Sequence, residues 1–158
     1  MPPDELRLLV PLIRDRRVAA LGTLRDGEPL VSQVVYAPEA DLCGFLILAS
    51  GLAQHTQDFR KDPRVGLMVA EAETPGLDSL SLARVSLRGT IAEVTGAGYD
   101  EAKSVYLEAN PGSLMLFTLG DFALYRFTPR VARFVAGFGR SYDLNPDHLR
   151  QAAGLTSR

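Results

Sequence analysis

The 158-residue sequence holds one cysteine, two histidines and no tryptophan. A lone Cys43 excludes an intrachain disulfide and any cysteine-rich zinc site, and it fits a reducing compartment, so a cytoplasmic location is expected. With only His55 and His148, and no HxH, HExxH or CxxC spacing, a metal site would need carboxylate help, so none is expected. The GxSxG elbow of serine hydrolases and the GxxxxGK[ST] phosphate loop are both missing. A formal net charge of -2 provides no field to gather polyanions, which argues against a nucleic-acid partner. No stretch approaches the ~20 apolar residues that span a bilayer. The opening MPPDELRLLVPLIRDRR has acids near its start and no long apolar run, so it does not read as a signal peptide, and no membrane partner is expected. What is there, 46% apolar and 23% charged residues, is the balance of one globular domain, expected over residues 1–158.

Hydrophobic periodicity orders the chain. Leu6, Leu9, Val10 and Ile13 recur at helical spacing over Asp4 to Arg16, with Asp4 as the expected N-cap and Pro11 an awkward member. Val18 to Leu24 and Leu30 to Tyr36 form a hairpin around Arg25-Asp26-Gly27-Glu28. Phe45 to Ala49 is a buried strand. Leu52 to Lys61 is a short helix stopped at Asp62-Pro63. Val65 to Ala70 is the next strand, and Ser81 to Val94 a long β segment broken near Gly89. Tyr99 to Ala109 is helical, with a further turn or two over Ser113 to Leu119. Phe122 to Phe127 and Val131 to Val135 are the last two expected strands, separated by a turn at Thr128-Pro129-Arg130. A short helix at Pro146 to Ala153 and a frayed end close a tail over residues 145–158. Six or seven short strands with two to four peripheral helices, and no regular strand-helix alternation, predict a mainly β, antiparallel barrel or sandwich.

Three stretches could carry chemistry. Phe45 to Val69 puts Ser50, His55, Thr56 and Gln57 around a helix start that leaves a buried strand, where free amides suit a phosphate. Ser50 could equally be a cap and His55 a surface residue. In GEPLVSQVVYA, alternation sets Leu30, Ser32, Val34 and Tyr36 on one face and Val31, Gln33 and Val35 on the other. The Ser32 hydroxyl then needs a partner, from a ligand or from a neighbouring strand. In Asp121 to Leu144, Arg126, Arg130, Arg133 and Arg140 alternate with aromatics, which suits an anionic aromatic ligand or a subunit interface.

Taken in order and spacing, GEPLVSQVVYA, LASGLAQHTQDFRKDPRVGLMV and DFALYRFTPRVARFVAGFGRSYDL resemble the flavin-binding split β-barrels that include pyridoxamine 5′-phosphate oxidase, most closely the haem-utilisation (HugZ/HutZ-type) branch. The likeness runs from about Leu8 to Leu144. It implies a homodimer with FMN at the interface. Ser32, His55 and Thr56 would meet the phosphate, and Ala49, Ser50 and Leu52 would edge the flavin. Gln33 and Val34 lie alongside, and Arg140 belongs to the ring-side turn.

The sequence departs from the oxidase pattern in places that matter. An arginine-lysine pair of the oxidases is replaced by Gln54-His55, and an arginine by Ser32. Each charge-assisted contact contributes roughly 1.5–3 kcal/mol, so phosphate binding should suffer. The terminal Arg-x-His-Asp-Arg motif is absent, and vitamin B6 oxidation is not expected. The leading expectation is an FMN-dependent oxidoreductase. A haem-binding or haem-degrading protein with His148 reaching the iron, and a cofactor-free dimeric binding module, are the alternatives.

Overall fold

The computed structural model describes residues 1–155. Helix α1 (Pro3–Arg14) starts at Pro2 with Pro3 in the first turn, where a missing N–H costs nothing. The expected Asp4 cap is therefore already inside the helix. Pro11 is tolerated within it because Leu6, Leu9, Val10, Leu12 and Ile13 are all buried, and tertiary burial outweighs the lost hydrogen bond.

Strands β1 (Val18–Arg25) and β2 (Glu28–Pro38) meet at Asp26 and Gly27, with φ of 53° and 85°. Two consecutive positive φ values are the requirement of a tight type I′ hairpin, and Asp-Gly meets it at least strain. Then follow β3 (Phe45–Ser50), α2 (Gln54–Lys61), β4 (Arg64–Ala70), β5 (Arg84–Glu93), α3 (Tyr99–Ala109), β6 (Phe122–Gly137), β7 (Arg140–Leu144) and α4 (Pro146–Leu155). The expected start of β5 at Ser81 is taken up by a 3-10 turn, Ser79–Ser81, capped by the Asp78 side chain. The helical character expected near Ser113 is a 3-10 segment, Pro111–Thr118. The frayed end expected after Leu155 lies outside the described residues.

All strand pairs are antiparallel, in the order β3-β2-β1-β4-β5-β6-β7, and β3 also pairs with β6. That extra pairing closes six strands into a ring, with β7 added on the far part of β6. The chain is thus a seven-stranded split barrel with peripheral helices. Its main core takes alternate residues from the strands together with α1 and α4; a smaller cluster, including Leu46, Leu124 and Tyr106, lies under α3. No helix among the described residues is long and apolar enough to cross a membrane.

One expectation is overturned. Thr128-Pro129-Arg130 is not a turn between two strands, because β6 runs unbroken through it for 16 residues. Pro129 is accommodated where the register between β5 and β6 shifts, opposite Gly89. On its other edge β6 has left β3 after Phe127 and does not meet β7 until Ala132. A proline without an N–H can occupy such a gap in the ladder. The final strand is instead β7.

Asp58, 1% exposed, accepts hydrogen bonds from Arg25 Nε at 2.7 Å and Thr23 Oγ1 at 3.1 Å, pinning α2 to β1. The Tyr36 hydroxyl donates to the Ile13 carbonyl at 2.5 Å and ties α1 to β2. Burial raises the Tyr36 pKa far above its usual value, keeping it a donor.

At Gly89 an added Cβ would stand 2.0 Å from the Thr128 carbonyl oxygen and 2.9 Å from Pro129 Cα. Both are backbone atoms and cannot rotate away. Gly89→Ala should therefore destabilise the protein by about 2–3 kcal/mol or more, read as the midpoint of urea unfolding. A change within about 0.5 kcal/mol would show that the β5–β6 bulge yields freely.

Candidate functional site

The entry to α2 is built from three chain segments. β3 ends at Ser50, whose hydroxyl donates to Asp121 Oδ2 at 2.6 Å and accepts the Leu52 amide at 3.1 Å. The Gly51 amide donates to the Asp121 carbonyl at 2.6 Å. Ser50 thus fastens the turn before the helix rather than capping the helix itself. The N-cap is Ala53, with no side-chain hydrogen bond and no acid in the first turn of α2, so no side chain of the helix itself offsets its positive end.

The alternation expected in β2 turns Ser32 inward, beside that helix. Ser32 Oγ lies 3.3 Å from His55 Nδ1, and the His55 ring stacks on Phe59 at 6.2 Å with planes 27° apart. Burial holds the His55 pKa below the ordinary imidazole value, and Asp58 only partly opposes this. Near neutral pH the imidazole is uncharged. It opens on a groove of about 290 Å³ whose walls include Val34, Val35, Leu48, Ala49, Leu116 and Phe122, with Gln33, Ser50, Tyr106 and Ser113 at its polar places.

No Arg or Lys lines this groove. Arg60 would lie within 3.2 Å of a Cβ at Gly51, but its Nε and Nη2 both donate to the Tyr125 hydroxyl. The arginines of the C-terminal stretch turn elsewhere. Arg126 pairs with Glu39, Arg133 with Asp143, and Arg140 with Glu5. A phosphate dianion here would meet a neutral imidazole and no charge-assisted partner from the groove, while the Ser50 hydroxyl is already committed to the Asp121 carboxylate. The residues present do not fit the FMN phosphate.

The structure brings Gln33, Val34, Ala49, Ser50 and His55 to one groove, with Ser32 behind His55. It does not bring the others. Leu52 points to solvent at 78% exposure, and Thr56 is fully buried with an unpartnered hydroxyl. Arg140 follows the end of β6 opposite to Phe122, where it also donates to the Ala136 carbonyl. His148 is committed to the start of α4: its Nδ1 accepts the Asn145 amide at 3.2 Å while its own amide donates to Asn145 Oδ1 at 3.1 Å. With Nδ1 an acceptor, the neutral ring carries its proton on Nε2 and has no lone pair to offer there. Sequence reasoning missed Tyr106, Ser113, Leu116, Asp121 and Phe122 as parts of the site. Their only local signal was the Gly-Asp turn before β6; the β3–β6 pairing and the packing of α3 bring them in.

Comparison with known proteins agrees with the fold. The family model described as pyridoxamine 5′-phosphate oxidase matches residues 7–136. The chain is 32% identical over 144 residues to the chloroplastic haem oxygenase HOZ of Arabidopsis thaliana, covering 89% of this chain and 42% of that protein. It is 27% identical to the haem oxygenase HutZ of Vibrio cholerae, covering 86% and 78%. It therefore spans less than half the length of the plant relative and about three-quarters of the bacterial one. A haem-binding protein from Mycobacterium smegmatis superposes with a TM-score of 0.81 at 24% identity, over 96% of this chain and 61% of that one, which speaks to fold alone.

The lowered pKa of His55 has a consequence for stability. Below about pH 6.5 an unfolded-state histidine takes up a proton while buried His55 resists it, so the unfolded state gains relative to the native one. Stability is lost as pH falls from that value through the native pKa. Thermal melts at pH 7 and pH 5 should show a larger fall for wild type than for His55→Gln. Equal falls would mean that His55 titrates normally in the folded protein.

Proposed function

The chain belongs to the pyridoxamine 5′-phosphate oxidase family, and from that premise we propose that it binds haem in the groove beside His55, as a haem-binding or haem-degrading protein of iron utilisation. The observation that carries this reading is a groove with mostly apolar walls, one uncharged imidazole and no cation. Such walls suit the apolar face of the haem macrocycle, whose propionates would point out of the groove toward solvent, and iron takes neutral imidazole as a ligand. A phosphate is disfavoured by the same features. The two haem oxygenases among the relatives support the same direction, whereas the FMN-dependent oxidoreductase expectation finds no charged partner in the groove.

A second copy of the chain completes the site in this reading. At about 290 Å³ the groove is at the small end of the ~300–1,000 Å³ of ligand pockets, so one subunit encloses too little. Beside it lies the outer face of β2, β1 and β4, where Val18, Val31, Val35 and Met68 remain exposed around Ala20, Gly22 and Gly66. Gln33 borders both the groove and this face. An apolar patch of this kind marks an association surface, and a homodimer seated on it would roof the groove. The single unpaired Cys43 suits a reducing compartment such as the cytoplasm.

Titrating the purified protein with ferric haem should produce a shifted Soret band that saturates at one haem per subunit, while millimolar FMN leaves flavin absorbance and fluorescence as in buffer. A flavin spectrum with no haem response would overturn the reading. Adding ascorbate in air then separates storage from ring opening: only the latter bleaches the Soret band. Met68→Arg places an unpaired charge on the association face and should convert the dimer to monomer in sedimentation analysis. A wild-type protein that sediments as a monomer at micromolar concentration would sink the two-copy site.

A further inference from the structure

Resting on the haem reading, we propose that His55 is the residue that ligates the haem iron, through Nε2, with Ser32 as the positioning residue that aims it. Nothing in the sequence pattern favoured this role for His55, which the resemblance assigns to a phosphate. The argument is geometric. Of the two histidines, His148 is disqualified by its own hydrogen bonds, because its Nδ1 already accepts from the Asn145 backbone at 3.2 Å. Freeing the ring for iron would break the imidazole's half of the reciprocal cap of α4, leaving only the bond from the His148 amide to Asn145.

His55 presents the opposite arrangement. Its Nδ1 faces Ser32 Oγ at 3.3 Å, its ring lies offset beside Phe59 with planes 27° apart, and Nε2 makes no hydrogen bond among the described residues. A metal-binding imidazole needs this division of labour: one nitrogen donates to a protein acceptor and so fixes the tautomer, and the other keeps its lone pair for the metal. A serine hydroxyl both donates and accepts, so Ser32 can rotate to accept from Nδ1–H once iron draws on Nε2. The ligating form is then the neutral ring, and no proton need leave the protein on coordination.

The surroundings favour a neutral ligand for the same reason that they disfavour a phosphate. Burial is the larger influence on His55 and keeps it uncharged. The carboxylate of the same helix, Asp58, is committed to Arg25 and Thr23, so it does not hold His55 as an imidazolium. Because Ser32 is on β2 and Phe59 one turn along α2, the imidazole is steadied from two elements before any ligand arrives. That lowers the ordering cost of binding.

The test is resonance Raman spectroscopy of the ferrous haem complex, with haem affinity measured by Soret titration, on the full chain. Wild type should show an iron–histidine stretching band. His55→Ala should lose the band and bind haem at least about tenfold more weakly, and added imidazole should restore five-coordinate ligation. His148→Ala should keep the band, with affinity within about twofold. Ser32→Ala should keep the band but shift its frequency, as a lost Nδ1 partner alters the basicity of the ring. His55→Gln, compared by melting temperature and sedimentation, guards against a merely misfolded alanine variant. If wild type binds haem and His55→Ala or His55→Gln retains the iron–histidine band, this assignment is overturned while the haem reading stands. If wild type shows no Soret response at all, the haem reading itself has failed and the assignment falls with it.

Discussion

The pairing of β3 with the first six residues of β6 is the constraint on which the remaining structure depends. It closes the sheet into a ring, sets Ala49 opposite Ala123 and Ser50 opposite Phe122, and brings Asp121 to the turn that opens α2. Without that closure β3 would be an edge strand, and its apolar run Phe45 to Ala49 would lie open to water and to other chains. The ring also explains why β6 is so long. It must serve β3 over its first part, β5 over most of its length and β7 at its end, and Gly89 permits the close crossing where those duties change.

Helix α2 is held against the ring by polar contacts that are few but buried. Asp58 anchors its middle to β1 through Thr23 and Arg25, and His55 meets Ser32 of β2 one turn earlier. Hydrogen bonds to a buried charge contribute roughly 1.5–3 kcal/mol each, although Arg25 is partly exposed and its share is correspondingly smaller. The consequence for function is orientational. The same helix that fills the core with Phe59 directs a neutral imidazole into the groove, so packing and site geometry cannot be varied independently.

Electrostatics decide which ligand the groove suits. The open positive end of α2 alone would favour an anion, but the adjacent carboxylate of Asp121, bonded to Ser50, offsets it. Four arginines lie along β6 and at the start of β7; three are committed to carboxylates away from the groove. Arg130 is exposed and borders a different surface depression. Arginine beside aromatic residues in sequence is therefore no guide to an anion site here, because strand alternation sends each cation to a different neighbour.

Much of this was legible from the chain alone, and for identifiable reasons. Period-two alternation in β2 separated Ser32 and Val34 on one face from Val31, Gln33 and Val35 on the other, and Asp26-Gly27 declared its hairpin, since local geometry governs both; which face is the inner one came from the fold. The span of α3 and the helix entry near His55 were local as well. Pro129 misled, because a proline reads as a turn unless one knows that its missing N–H faces a gap between two partner strands. Likewise only the fold could reveal that His148 caps its own helix, that Thr56 is sealed in the core, that Asp121 fastens the turn before α2, and that Phe122 and Tyr106 border the groove. Residues about 70 positions apart along the chain become neighbours solely through strand pairing, and no local pattern encodes that closure.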